Sequence, residues 1–370
     1  MKLSNSSFFY ALFFIFSIHL LQAQPNNKYL SGSAVPAPNA GALGKYGDIP
    51  VSYFTGVPDI SIPIHTVTEG PVSLPIALNY HASGIKVSEM ASWVGMGWSL
   101  NAGGIITRTV QGIPDENLPF GYYTYGNQAP GPSSGPTFGN YIADCGSGTA
   151  DSEPDLFTFN VGGFSGKFYI DHKDAISQGK PAYQFVPRQD LKLEFNTDFT
   201  RFTIIATDGT RYTFGQAVIN TVTVNAREYT QQFGQPASSK YCSSWYLLLV
   251  ESPDLKNSIN LTYTDEYYGY WNLSACSYVA RNEVCTYPSS NAPFNYEECS
   301  GTEINPTHYG FKTEIEGKRL TTINSSSGTV TFNATTNRTD LEDHNSYATT
   351  YKAKRLESIQ ISSGSPPVNL

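Results

Sequence analysis

VSLPIALNYHASGIKVSEMASWVGMGWSLNAGGIITRTV, residues 72–110, is the stretch from which the fold class is read most directly. It begins with apolar residues at every second position from Leu74 to Tyr80, which is the period of a half-buried β-strand. It ends with a second β-rich run, residues 104–110. The two runs predict neighbouring strands, with the second returning beside the first.

Two tryptophans and two glycines lie between these runs. Gly95 and Gly97 separate Trp93 from Trp98, and glycine is favoured where the backbone turns through positive φ or approaches another segment closely. Large aromatic surfaces beside such glycines predict a tight corner covered by the rings. We interpret this corner as a structural element that carries no chemistry.

Strand-like segments recur along the rest of the chain at a spacing of roughly ten residues. They are residues 51–54, 60–66, 155–161, 166–170, 191–195, 202–206, 211–214, 222–229, 245–251, 259–263, 329–332 and 355–361. Asp208-Gly209 predicts a hairpin turn, and Pro63 predicts a sheet edge or a bulge. The spacing favours an all-β fold of antiparallel sheets, sandwich- or shell-like, with long Gly/Pro-rich loops and little helix.

The composition agrees with an exported β-protein. Aromatic residues make up 14% of the chain, with 25 Tyr and 21 Phe, and charged residues make up 15%. Tyr and Phe fit half-buried pleated surfaces, and 32 Gly and 23 Pro supply many turns. The formal charge of −8 argues against a nucleic-acid partner, which would favour a basic face.

The N-terminal residues have the features of a signal peptide. Lys2 precedes an apolar run over residues 8–21, and Gln22-Ala23 offers a cleavage point after a run too short to span a bilayer. We therefore expect export to the cell surface, the periplasm or the medium, with no membrane span after the signal is removed. The predicted regions are residues 1–23 (signal peptide), 24–46 (flexible arm), 47–111 (β core with the corner), 112–154 (long loop or insertion) and 155–370 (β-rich, expected to be truncated at its C-terminal end).

Two aromatic segments are candidate binding loops, because flat rings stack on sugar faces and Tyr and Trp are favoured where a partner is desolvated. Their residues are Tyr122, Tyr123 and Tyr125 in the first, and Tyr267, Tyr268, Tyr270 and Trp271 in the second, YYGYW. The alternatives are that the rings fill space between long loops and the sheet, or that they contact a protein.

The five cysteines are Cys145, Cys242, Cys276, Cys285 and Cys299. The last three lie within one aromatic segment, where disulfides in an exported protein would shorten a long excursion. The odd number leaves one thiol free or paired between chains, and the pairing cannot be read from the sequence. The alternatives are unpaired thiols, or a zinc site with His308, although the spacing lacks the close CxxC pairs of zinc modules.

Motifs for catalysis or cofactor binding are missing from the sequence: it has no GxSxG, HExxH, Walker or dinucleotide motif. We therefore predict no catalytic residue and no cofactor. Asp151, Glu153 and Asp155 alternate and are a weak candidate for Ca²⁺ binding or for a glycosidase-type carboxylate pair. The alternative is that they are exposed, solvated acids that precede a strand.

Four segments resemble the N-terminal region of secreted Rhs/YD-repeat proteins. They are SIPI (61–64), LPIALNYHASGIKV (74–87), WVGMGWSLNAGGIITR (93–108) and DGTRYTFG (208–215). The GWSL…ITR part is also similar to the start of the B-component of ABC-type insecticidal toxin complexes. The resemblance covers roughly residues 47–370.

This resemblance implies a structural, non-enzymatic segment of a much larger protein. In that family the segment precedes a hollow shell of YD repeats, which in some relatives encloses a C-terminal toxin. The chain contains no GxxxRYxYDxxGR-type repeat, so the implied partner is the remainder of a longer Rhs-like chain. The alternative function is a cell-surface carbohydrate-binding or adhesion module with a glycan partner.

Overall fold

The computed structural model describes residues 51, 56–86, 89–118, 120–125, 136–171, 182–233, 240–274, 281–283, 301–303, 309–346, 351–362 and 368–369. The chain divides into two compact units, Met1–Pro58 and Asp59–Leu370. In the first, Val51 and Pro58 form an antiparallel bridge. The predicted signal peptide and arm, together with Cys276, Cys285 and Cys299, lie outside the described residues.

The second unit is built from strands. In its described part these are β1 (Asp59–Glu69), β2 (Val72–His81), β3 (Trp98–Asn101), β4 (Gly104–Thr109), β5 (Leu156–Val161), β6 (Phe164–Ile170), β7 (Tyr183–Val186), β8 (Lys192–Phe195), β9 (Phe202–Ile205), β10 (Arg211–Phe214), β11 (Gln216–Ile219), β12 (Val222–Asn225), β13 (Arg227–Phe233), β14 (Tyr241–Glu251), β15 (Ser258–Ser274), β16 (Arg281–Glu283), β17 (Gly301–Glu303), β18 (Tyr309–Ser325), β19 (Gly328–Asn333), β20 (Ser358–Ser362) and β21 (Val368–Asn369). Its described helices are α1 (Tyr122–Tyr125) and α2 (Pro136–Gly146). The predicted all-β class with antiparallel sheets is confirmed.

A sheet of 14 strands dominates this unit. Its main path runs β21-β20-β19-β18-β13-β14-β4-β5-β6-β7. Outside this path, β15 pairs with β14 and β18. A second branch leaves β14, which pairs with β10; β10 pairs with β9, and β9 pairs with β8. β1, β2 and β3 form a separate three-stranded sheet. The longest ladder joins β15 to β18, from the pair Asn260–Asn324 to the pair Ser274–Tyr309. Successive side chains of each strand point to opposite faces, so this ladder contributes side chains to both faces of the large sheet.

The strand that returns beside β2 is not the one predicted. β2 pairs with the short strand β3, whereas β4, the core of the 104–110 run, pairs with β5 and β14 in the large sheet. The chain changes sheet at Gly103, whose φ of 143° disfavours a side chain. A Cβ there would lie 3.0 Å from Leu261. The prediction was wrong because alternation identifies a strand without showing which sheet it joins.

Two local predictions are confirmed. β9 and β10 pair antiparallel across the Asp208-Gly209 turn, where Gly209 has a φ of 86°. β1 lies at the edge of its sheet in the described structure, and its register shifts between Pro63 and His65. Proline is tolerated at such positions because it cannot donate to a ladder.

The core is aromatic. The rings of Phe157 and Phe168 stack with their centroids 5.0 Å apart, and Phe202 meets Trp245 edge-on at 5.0 Å. All four side chains are fully buried, and the Trp245 indole N–H donates to the carbonyl of Phe199 at 2.6 Å. Aromatic pairs of this kind each add about 0.5–1.5 kcal/mol beyond area burial. The core therefore fixes β5, β6, β9 and β14 relative to one another.

Candidate functional site

A cavity of about 460 Å³ lies between the three-stranded sheet and the large sheet. Residues of β3 and of the β3–β4 turn line one side, and residues of β13, β14, β15 and β18 line the other. This volume falls in the range of small-molecule sites, which combine apolar and aromatic walls with a few placed polar groups. The cavity is therefore the candidate site of the described structure.

Strand alternation places three side chains of the cavity wall together. Glu266 and Tyr268 are two residues apart on β15, so they lie on one face. The register sets Arg319 of β18 opposite Thr264, which puts Arg319 on that face as well. All three line the cavity.

Glu266 and Arg319 form a buried ion pair in this wall. Arg319 Nε lies 3.3 Å from Glu266 Oε2, and the side chains are 11% and 10% exposed. Glu266 Oε1 accepts the backbone N–H of Lys354 at 2.7 Å. Burial raises the pKa of Glu266, against the opposing effects of this hydrogen bond and of Arg319. The Nε of Arg319 has no hydrogen-bond partner within the described structure.

Two more tyrosines line the cavity. The Tyr246 hydroxyl donates to Glu228 Oε2 at 2.8 Å, and the Tyr263 hydroxyl donates to the carbonyl of Leu247 at 2.8 Å. Their rings lie 5.4 Å apart. Burial raises the pKa of both hydroxyls, so both stay protonated donors at neutral pH.

Tyr268 differs from these two tyrosines. Its side chain is half-buried on the wall, and burial raises the pKa of its hydroxyl. Among the described residues, the hydroxyl has no hydrogen-bond partner. A protonated hydroxyl therefore faces the cavity without a protein partner.

The tryptophan corner is closed by its own hydrogen bonds. The Ser92 hydroxyl donates to the carbonyl of Trp98 at 2.5 Å and accepts the N–H of Val94 at 3.2 Å. Gly95 and Gly97 have φ values of 125° and 73°. These contacts close the turn between Ser92 and Trp98.

The two tryptophans of the corner have different surroundings. The Trp98 ring lies 5.0 Å from the Tyr80 ring, whereas the Trp93 ring lies 6.3 Å from Phe332 and lines the cavity. The carbonyl of Trp93 accepts the N–H of Leu356 at 2.8 Å. The absence of chemistry at the corner stays a prediction. Trp93 bears on it because its side chain lines the cavity.

The YYGYW segment is a strand and not a loop. It belongs to β15, where Tyr268 lines the cavity and Tyr267 packs edge-on against Tyr351, with centroids 5.2 Å apart. Tyr270 is half-buried, and Trp271 is 50% exposed. The loop prediction was wrong because an aromatic-rich composition suits strands as well as loops. The partner strand β18 mixes charged with apolar residues, so the sequence did not predict it as a strand that could pair with this segment.

The first aromatic segment is also not a loop, since Tyr122, Tyr123 and Tyr125 lie in helix α1. Tyr123 is buried, with its ring 5.2 Å from Phe199, so it fills the core. Tyr122 is half-buried, and the side chain of Tyr125 is outside the description. Residues 112–154 also include helix α2, so only part of this region is loop.

The acidic residues Asp151, Glu153 and Asp155 do not converge. Asp151 Oδ1 accepts the N–H of Glu153 at 3.1 Å, whereas Asp155 Oδ1 accepts the N–H of Gln111 at 2.8 Å. Within the described residues, no group of three or more His, Cys, Asp or Glu side chains could hold a metal ion. The alternative of solvated acids is wrong for Asp151 and Asp155, which are buried and accept backbone N–H groups, Asp155 from Gln111 and Asp115 and Asp151 from Glu153.

Two residues that the sequence did not single out, Asp115 and Arg108, complete this network. Arg108 Nη1 lies 2.6 Å from Glu116 Oε2 and 3.4 Å from Asp155 Oδ2. Burial and the neighbouring Asp155 charge raise the pKa of Asp115 to about 9, and burial raises that of Asp155 to about 6. Arg108 ends the GWSL…ITR segment but occupies an ordinary strand position, and no motif marks Asp115.

Two cysteines are described, and both are free thiols. Cys145 is half-buried and Cys242 is buried. Burial raises the pKa of the Cys242 thiol to about 12, so it stays protonated and unreactive at neutral pH.

Fold and site together define an all-β protein of antiparallel sheets with an open cavity of small-molecule size in its described part. Comparisons with protein-family models, with curated proteins and with solved structures find no match. Neither described helix is long and apolar enough to cross a membrane.

Proposed function

We propose that this chain is a non-enzymatic structural module in the N-terminal part of a secreted Rhs/YD-repeat-like protein, where it packs against or caps a β-shell. The quoted segments that resemble this family support the proposal, as does the extended antiparallel sheet. The module is exported through its N-terminal signal peptide. Its partner is the remainder of the longer chain.

The observation that carries the proposal is the position of β20 and β21 in the large sheet. β20 pairs with β19 on one side and β21 on the other, and β21 ends the strand order. A strand at a sheet edge presents backbone N–H and C=O groups to which another strand can add. A strand added beside β21, Val368–Asn369, would extend the sheet, and this is the contact that we propose for the β-shell.

The β15–β18 ladder supports the same role. Each strand has 17 residues, whereas most strands have about five or six. Polar cross-strand contacts hold the ladder, including the hydroxyls of Thr262 and Thr322 at 2.7 Å and the ion pair between Lys318 and Asp265. Long paired strands of this kind suit the wall of a large β assembly.

Hydrogen exchange at β21, Val368–Asn369, tests this proposal. The native secreted product is compared with a chain that ends at Leu370. We expect slower amide exchange at β21 in the native product, because added strands protect the edge, and equal exchange at β14, Tyr241–Glu251, as the internal control. Equal exchange at β21 in both proteins would contradict the role of this edge.

A further inference from the structure

We infer that the cavity binds a neutral saccharide of one or two rings, held by the faces of Trp93 and Tyr268 and by the Arg319 guanidinium. This inference is independent of the role in a longer protein, because it concerns a cavity within the Asp59–Leu370 unit and not the edge of its sheet. It also moves the candidate glycan contact from an exposed loop to a cavity.

The wall chemistry matches a sugar ring. A pyranose has an apolar C–H face and a rim of hydroxyls, so it is bound by aromatic faces together with hydrogen-bonding groups. The wall supplies the aromatic residues Trp93, Tyr246, Tyr263 and Tyr268. It supplies amides as well, among them Asn79, and a side-chain amide both donates and accepts.

Two polar groups of the wall lack the partners that such groups normally have. Arg319 is 11% exposed, and its one ion pair is made by Nε, which lies 3.3 Å from Glu266 Oε2 without forming a hydrogen bond. The Tyr268 hydroxyl is likewise without a hydrogen bond in the described structure. Partly buried polar groups cost free energy when they are unpaired. Ligand hydroxyls could accept from Arg319 and bond to Tyr268, which removes that cost.

The charges of the wall favour a neutral ligand. Arg319, Lys318 and Arg338 are each engaged in an ion pair, with Glu266, Asp265 and Asp340 respectively, and Glu228 accepts the Tyr246 hydroxyl at 2.8 Å. Cations that are already paired within the protein exert little long-range attraction on an ionic ligand. A neutral ligand with many hydroxyls can hydrogen-bond to both the donors and the acceptors of the cavity wall.

Calorimetric titration of the full chain tests the inference. The probes are glucose, galactose, mannose, N-acetylglucosamine, lactose and maltose, with glucuronate and glucosamine as charged counterparts. We expect saturable binding of at least one neutral sugar, and weaker binding of both charged sugars. No saturable binding of any neutral sugar, or binding of the charged sugars alone, would overturn the inference.

Variants of one strand locate the binding. Tyr268→Phe removes one hydroxyl and keeps the ring, so we expect binding to weaken about fivefold or more, with an unchanged melting temperature. Trp271→Ala is the matched control, since Trp271 is exposed on the same strand and does not line the cavity. Binding that is lost in Trp271→Ala and kept in Tyr268→Phe would place the sugar on the surface and refute the cavity.

A second variant keeps the test decisive if Tyr268→Phe does not fold. Arg319→Lys keeps the charge beside Glu266 but loses the planar fork of donors. We again expect a weakening of about fivefold or more. Unchanged affinity in a folded Arg319→Lys protein would contradict the role given to the guanidinium.

Discussion

Asp115 and Asp155 cap each other's backbone. The Asp115 carboxylate accepts the N–H of Asp155 at 3.0 Å, and the Asp155 carboxylate accepts the N–H of Asp115 at 3.1 Å. Both residues are fully buried, so this exchange of hydrogen bonds fastens the segment after β4 to the start of β5. Arg108 supplies the countercharge to Asp155.

The Asp115 carboxyl makes stability depend on pH. Its pKa is raised from the ordinary 3.8 to about 9, so the folded state holds the proton more tightly than the unfolded state. This stabilisation is complete below pH 3.8 and is lost as the pH rises towards 9. We expect Asp115→Asn, which mimics the protonated acid, to flatten the fall in the free energy of unfolding between pH 4 and pH 9 in denaturant titrations. An unchanged pH profile would contradict this.

The Asp155 carboxylate uses both of its oxygens, which accept the N–H groups of Gln111 and Asp115. Asp155→Asn replaces one acceptor with an amide donor, and a buried polar group left unpaired costs about 1–3 kcal/mol, whereas Arg108 keeps its ion pair with Glu116 at 2.6 Å. We expect Asp155→Asn to lower the free energy of unfolding by about that amount at pH 7, whereas Asp115→Asn does not. Equal losses in the two variants, measured by urea unfolding, would show that the acids are equivalent.

The aromatic core predicts a large loss on truncation. Phe157 is fully buried against Phe168 and Trp245, so Phe157→Ala leaves a cavity that costs about 3–5 kcal/mol. Trp271→Ala, at a half-exposed surface position, should change stability by less than about 0.5 kcal/mol. Chemical unfolding of both variants measures the difference. A loss below about 1 kcal/mol in Phe157→Ala would mean that this core is not packed as described.

Two glycines with similar φ values allow the cost of backbone strain to be distinguished from the cost of a steric clash. Gly215 and Gly163 have φ values of 79° and 84°. A Cβ on Gly215 would lie 2.4 Å from Trp245 Cδ1, whereas one on Gly163 meets nothing within 4 Å. We expect Gly163→Ala to cost about 1 kcal/mol from backbone strain alone, and Gly215→Ala to cost clearly more. Thermal melting of the two variants compares them, and equal losses would contradict the close approach.

The corner is tested through its serine. The Ser92 hydroxyl bridges the Trp98 carbonyl and the Val94 N–H, so Ser92→Ala should lower the free energy of unfolding by about 1 kcal/mol and alter tryptophan fluorescence. Ser99→Ala is the control, because that exposed hydroxyl lies 3.5 Å from the carbonyl of Asn79. If both variants behave like the wild type, the corner is held by other contacts.

The fold class was predictable because it depends on local periodicity. Alternation in β2, the Asp208-Gly209 turn and the edge position of Pro63 can each be read from a few residues. The sheet to which β4 belongs depends on contacts with β5 and β14, which are distant in the sequence. Pattern alone does not specify those contacts.

The cavity could not be predicted for a related reason. Its wall combines Trp93 with Glu228, Tyr268 and Arg319, which come from separate elements and form no motif. The YYGYW segment indicated aromatic density, but only the β15–β18 register shows that Tyr268 and Arg319 lie on the same face of the sheet. The Asp115–Asp155 exchange likewise joins residues 40 positions apart.

The intact mass and peptide map of the native secreted product test the proposed module most directly. We predict one polypeptide that begins near residue 24, continues past Leu370, and yields YD-repeat peptides from the added length. A mature product that ends at Leu370 would contradict the proposal that this chain caps the shell of a longer protein.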